Sequence, residues 1–209
     1  IQSPARIAAA FNDYELSSRI GEIMQHQVFK QINEWRAKGL QVVPISINAA
    51  PVEFMRDNFA EIFLKRLKAY RIPSKFVEIE VTEYHLAERG YEYVVRALKK
   101  LKANGVRIAL DDFGTGHSSL THLRDYPVDI IKVDCSFVQH LSDDKSIYAI
   151  VEGLAKLGPI LSMDIVAEGI ETETQLQLLR DMGCHIGQGY LFSPPVCAQQ
   201  AEMQLLKLH

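Results

Sequence analysis

The chain of 209 residues is 47% hydrophobic and 23% charged, the composition of a folded domain with one sizeable core rather than a disordered tract. Its net charge of -3, with no Lys/Arg-rich run, removes the electrostatic footprint of a DNA or RNA polymer binder. No apolar stretch approaches the roughly 18 residues of a membrane span, and three widely spaced cysteines, Cys135, Cys184 and Cys197, without a CxxC pair suggest neither a disulfide framework nor a zinc knuckle.

In chain order, Ile20, Ile23, Met24, Val28, Ile32 and Trp35 recur at three- and four-residue steps, the spacing of an amphipathic helix that Gly39 can end. The run "VVPISIN" reads as a strand closing at Asn48. Phe59, Ile62, Phe63, Leu67 and Tyr70 give a second helical face before Pro73, and "FVEIEVTE" gives the next strand. Val94, Leu98 and Leu101 mark a third helix stopped near Gly105. The strand "RIALDD" follows, then a short helical segment, then the strand "DIIKVD" and a helix carrying Ile150, Val151, Leu154 and Leu157. The strand "DIVAEG", a helix opened by the capping-box pattern Thr172 to Gln175, and the strand "IGQGYLFS" complete the series.

Strands separated by helices in this order predict parallel pairing through right-handed crossovers. The polar residues Asn48, Glu80, Asp111, Asp112, Lys132, Asp134, Glu168 and Gln188 all fall at or near the C-terminal ends of their apolar runs. In a parallel barrel those ends form one rim, where barrel enzymes keep their chemistry. The expected fold is therefore α/β, a (β/α)8 barrel of TIM type, with residues 1–209 forming one domain. A full barrel takes about 250 residues, so six strand-helix units imply that at least one N-terminal strand is missing from this chain. The competing architecture, a doubly wound open sheet, lacks its Gly-rich dinucleotide turn here.

A set of carboxylates and one amide, with no His or Cys among them, suits Mg²⁺ or Mn²⁺ better than zinc or copper. Asp111 and Asp112 repel each other unless a cation neutralises them, and such a pair can bridge two metals about 3.5–4 Å apart, as in phosphate-ester hydrolysis. Lys132 offers a point charge for a phosphate oxygen or an attacking water. Each residue also has a plainer reading: Asp112 as a helix cap, Glu80 as a rim salt bridge, Lys132 as a paired lysine, Glu83 as a helix-start carboxylate. The segment "FGTG" lacks the ending of a P-loop and reads as a loop over the site, which Glu83 could hold.

The motifs "EVTE", "ALDDFGTGHSSL", "PVDIIKVDCSFV", "IVAEGIE" and "GQGYLFSPP" resemble, in order, those of the EAL-domain phosphodiesterases, which hydrolyse cyclic di-GMP to linear pGpG. The resemblance runs from "SPARIAAAF" to Val196. It implies a modified barrel with one strand reversed and a two-metal Mg²⁺ or Mn²⁺ site, with Asn48, Glu80, Asp111, Asp112 and Glu168 as ligands. Lys132 and Asp134 would be catalytic, Glu83 would steady the "DFGTG" loop, and Glu171 would stand on the rim. Gln188, Asp112 and Lys132 would meet the substrate. A homodimer and an upstream sensory or GGDEF-type domain also follow, with no membrane contact by the domain itself; the cytoplasmic location expected for it rests on the cysteine spacing, which fits a reducing compartment. The Glu-Ala-Leu signature is absent, because the chain begins just after its place, so one further metal ligand is expected from a preceding segment. Ala50, His117, Cys135 and Pro194 stand where the family commonly has serine, tyrosine, arginine and a basic residue. Two other functions remain open: a non-catalytic cyclic di-GMP receptor, and an interaction domain that binds no nucleotide.

Overall fold

A computed structural model describes residues 13–54, 58–82, 91–114, 123 and 126–208. The chain forms two compact units: Ile1–Val81 with Arg89–Arg107 and Val196–His209, and Thr82–Glu88 with Ile108–Pro195.

The first unit opens with helix α1 (Tyr14–Ala37), capped by Asp13, whose carboxylate accepts from the Leu16 amide at 2.9 Å. Gly39, at φ 74, follows its end, where the Leu40 amide closes back on the Trp35 carbonyl at 3.1 Å. The buried stripe of α1 differs from the expected one in its first half. Ile23 and Met24 are exposed, and the inward positions are Ser17, Gly21 and Gln25, followed by Phe29, Ile32 and Trp35. The reason lies in its neighbours. Arg66 donates to Gln25 at 2.7 Å, and the Glu53 carboxylate lies where a Cβ on Gly21 would stand. Large apolar side chains do not fit under a carboxylate and a guanidinium that approach the helix this closely.

Strand β1 (Ile45–Asn48) is shorter than "VVPISIN", because Pro44 has no N–H to give a sheet ladder. After α2 (Pro51–Phe54) comes α3 (Phe59–Ala69), which buries Phe59, Ala60, Phe63 and Leu67; Phe63 meets Phe29 edge to face at 5.7 Å between ring centroids. Strand β2 (Val77–Thr82) pairs with β1 in parallel, with Asn48 opposite Glu80. Helix α4 (Tyr91–Ala103) buries Val94, Leu98 and Leu101, as its periodicity predicts.

The second unit is built on four neighbouring parallel strands: β3 (Arg107–Phe113, Arg107 belonging to the first unit), β4 (Ile130–Val133), β5 (Asp164–Ala167) and β6 (Ile186–Gly187). The five-residue α5 (Cys135–Gln139) follows β4 directly, and α6 (Lys145–Ile160) starts at Asp144, whose carboxylate accepts from Ser146 at 2.7 Å. Between β5 and β6 lies α7 (Glu173–Asp181), which begins with the expected capping box: the Gln175 amide donates to Thr172 Oγ1 at 3.2 Å, and the Thr172 amide donates to Gln175 Oε1 at 3.0 Å. Strand β6 is only two residues of the expected "IGQGYLFS", since the chain turns after Gln188 with the Phe192 amide bonded to the Gly189 carbonyl. The helical segment expected after "RIALDD" falls largely outside the described residues. Back in the first unit, α8 (Ala198–Leu205) returns to the end of α1, where Glu202 accepts from Trp35 Nε1 at 3.2 Å and from Lys38.

Candidate functional site

In a regular strand Asp111 and Asp112 would point to opposite faces of the sheet. Two departures from regularity prevent this. The β3–β4 register slips between Leu110 and Phe113, and Asp112 adopts φ 54, a left-handed conformation that costs a non-glycine residue energy. The outcome is that carboxylate oxygens of Asp111, Asp112 and Glu168 all lie within 4.8 Å of one another.

Lys132, third in β4, supplies the positive charge this grouping requires. Its Nζ stands 2.9 Å from Asp111 Oδ1 and 2.8 Å from Glu168 Oε1, and only 7% of the residue is exposed. All four residues of β4 are buried, so the stem of Lys132 is covered while the ammonium meets both acids. Asp111 Oδ1 is buried and forms no hydrogen bond of proper angle; its closeness to Lys132 is an ion pair without directional bonding. A buried carboxylate oxygen with a lone pair left over, beside two further acids, fits a hard divalent cation held by oxygen atoms alone.

Asp134 holds a different position. Its Oδ1 accepts from the Ser136 amide at 3.0 Å and from the Ser136 hydroxyl, capping α5. Burial pushes its pKa up, but the hydrogen bonds from Ser136 and from Cys135 together outweigh this and hold it below the usual carboxylate value. Sequence reading missed this cap, although an aspartate two residues before a serine at a strand-to-helix junction signals it. Cys135 shifts upward, through burial first and then the nearby charges of Asp134 and Glu168.

Glu171 and Gln188 are exposed, and neither belongs to the three-acid cluster. The Gln188 backbone is nonetheless fixed beside it, donating to the Ala167 carbonyl at 2.8 Å and accepting from the Ile170 amide at 3.0 Å. In the first unit Asn48 and Glu80 are register partners at the strand ends, with Asn48 exposed and Glu80 buried; the next amide, Ala49, donates to the Glu80 carbonyl at 3.0 Å. Glu83 and His117 lie outside the described residues.

The ordered motifs and the paired strand ends have a counterpart in known proteins: the profile of the family EAL domain matches residues 1–195. This chain belongs to the EAL domain family. Cyclic di-GMP phosphodiesterase PA2567 of Pseudomonas aeruginosa is 32% identical over 200 residues, covering 96% of this chain and 34% of that protein. The solved structure of the MucR phosphodiesterase of the same organism, a c-di-GMP complex, is 32% identical with a TM-score of 0.87, over 95% of this chain and 80% of the other. The manganese/cy-diGMP complex of BlrP1 from Klebsiella pneumoniae is 27% identical with a TM-score of 0.79, over 87% of this chain and 45% of the other. The chain spans between 24% and 34% of the length of curated relatives such as the oxygen sensor DosP of Escherichia coli and PA2567. The fold class of this EAL domain is accordingly a modified TIM-type barrel, the barrel expected from its strand-helix alternation in the modified form that the EAL resemblance implies.

Proposed function

We propose that this EAL domain is a phosphodiesterase that hydrolyses cyclic di-GMP to linear pGpG with Mg²⁺ or Mn²⁺. The observation that carries the reading is the meeting of Asp111, Asp112 and Glu168 around Lys132, which a register slip and a strained aspartate bring about. Strain of this kind concentrates where function requires a particular geometry. The family's phosphodiesterases, one solved with c-di-GMP and one relative solved with manganese and cy-diGMP, supply the substrate and metal class.

In this reading Asp111, Asp112 and Glu168 hold the cations, together with Asn48, Glu80 and one ligand from a preceding segment of the protein. When bound, divalent cations neutralise phosphate charge and lower the pKa of water. Lys132 contributes a fixed positive charge toward the phosphoryl oxygens or the entering water, and Asp134 orients that water. Water adds to phosphorus, the bond to the ribose 3′ oxygen breaks, and that oxygen leaves with a proton. Gln188 and Asp112 contact the dinucleotide, Glu171 stands beside the metals, and Glu83 steadies the loop after Asp112. Residues 1–209 act as one EAL domain of a longer cytoplasmic signalling protein, as a homodimer and under a sensory or GGDEF-type domain.

Incubating the full-length protein with cyclic di-GMP and Mn²⁺ tests the reading by chromatography of the product. We expect pGpG from the parent protein and none from Glu168→Gln. Nucleotide binding without product in a folded parent protein would replace the enzyme by a cyclic di-GMP receptor.

A further inference from the structure

The carboxylates of the cluster come from two segments, Asp111–Asp112 near the end of β3 and Glu168 just after β5, and the strand between them is β4. Directly after β4 the short helix α5 packs a side chain against each of these segments. A Cβ on Gly114 would fall 2.6 Å from both Cε2 and Cζ of Phe137, so only a bare backbone fits beside that ring edge. On the other side, a Cβ on Gly169 would overlap the Cβ of Cys135 and stand 3.2 Å from its Cα. Both glycines have left-handed backbones, φ 100 and φ 70, which a non-glycine residue adopts at a cost. Each acid-bearing segment therefore comes against the same turn of helix just beyond its acids.

We infer that the first turn of α5 is a spacer that sets the separation of the two carboxylate segments, with Phe137 the positioning residue for Asp111–Asp112 and Cys135 the positioning residue for Glu168. The inference deepens the proposed function, because the acids it positions are those assigned there to the metal. The turn is itself anchored: Asp134 caps it through Ser136, and β4 carries Lys132 two residues earlier, so the spacer and the lysine move as one piece. Removing the ring of Phe137 frees the Gly114 side; removing the Cβ of Cys135 frees the Gly169 side. Neither side chain needs to touch a ligand for the acids to lose their arrangement.

Hydrogen exchange on the full chain, read amide by amide, separates the two contacts. Phe137→Ala is expected to speed exchange about tenfold at residues 111–114 and leave 168–170 unchanged, whereas Cys135→Gly is expected to do the reverse. Cys135→Ser, which keeps the contacting Cβ, is expected to match the parent. Should Phe137→Ala fail to fold, Phe137→Leu reads the same amides. Calorimetric titration with Mn²⁺ is expected to show about 10–100-fold weaker binding in both disruptive variants, with recovery in Cys135→Ser. Acceleration spread evenly over the unit, or none at either segment, overturns the spacer. A parent protein that takes up no Mn²⁺ overturns the proposed function, and the exchange pattern still decides the spacer.

Discussion

Lys132 is a cation with 9% of its side chain in contact with solvent, beside carboxylates that retain 15% and 16% of theirs. Its removal leaves like charges facing each other in a poorly solvated place. Breaking a fully buried pair costs about 3–5 kcal/mol, and the solvent contact of these acids brings the expected loss for Lys132→Met to about 2 kcal/mol in urea denaturation without added metal. Turnover is expected to fall about 10²–10³-fold, as when an electrostatic stabiliser is deleted. Asp134 gives a pH dependence with a definite sign. Its folded-state pKa lies below the unfolded value of 3.8, so its stabilising contribution is complete above that pH and is lost as the pH falls through the lowered value. Ser136→Ala removes the hydroxyl's share and leaves the backbone donors, so the urea midpoints of parent and variant, separated near neutrality, are expected to converge as the pH falls below 3.8. The cysteines differ by burial and by neighbouring charge. Cys184 is pushed up by burial, Cys135 by burial and neighbouring carboxylates, and Cys197 is exposed. A thiolate reagent at pH 8 is expected to label Cys197 first, and Cys184 only with unfolding, as read by peptide mass spectrometry.

Helix ends and buried faces carry the next set of consequences. Thr172→Ala deletes one half of the capping box of α7 and is expected to cost about 1 kcal/mol of stability in urea denaturation. Gly21→Ala places a methyl where the Glu53 carboxylate lies, and that carboxylate is tied to the Ala50 amide at 3.0 Å, so it cannot swing away without losing a bond. A loss of about 1–3 kcal/mol is expected, and Glu53→Ala in the same chain is expected to recover part of it. The face of α4 was legible, with Val94, Leu98 and Leu101 all buried, and that of α6 in part: Val151 and Leu154 are buried, Ile150 is exposed. The first half of α1 was not, because charged neighbours from distant positions decide which of its faces is buried. Strands β1 and β6 were read too long for local reasons visible in the chain itself: Pro44 withholds a donor, and glycines break the later run.

For the whole molecule the deciding quantity is ligand-linked stability. A cation that binds only the folded protein stabilises it by about 2.7 kcal/mol at a hundred times its dissociation constant. For a chain of this size that corresponds to a rise in Tm of roughly 5–10 °C. Mn²⁺ is expected to raise the Tm of the parent and to leave Glu168→Gln unmoved, which separates binding at the acids from a general salt effect. An unchanged Tm in the parent would remove the metal from the proposed function. Among the described residues no helix is long and apolar enough to cross a membrane.

The order of strands and helices, the all-oxygen character of the strand-end residues and the EAL motifs were determined by the sequence alone, because each is written within a few neighbouring positions. Only the tertiary structure decided that two adjacent aspartates share one side, that Lys132 joins Asp111 to Glu168, and that α5 packs against both loops. Register, bulge and ion pairing depend on partners from other strands, and no local pattern of side chains specifies them.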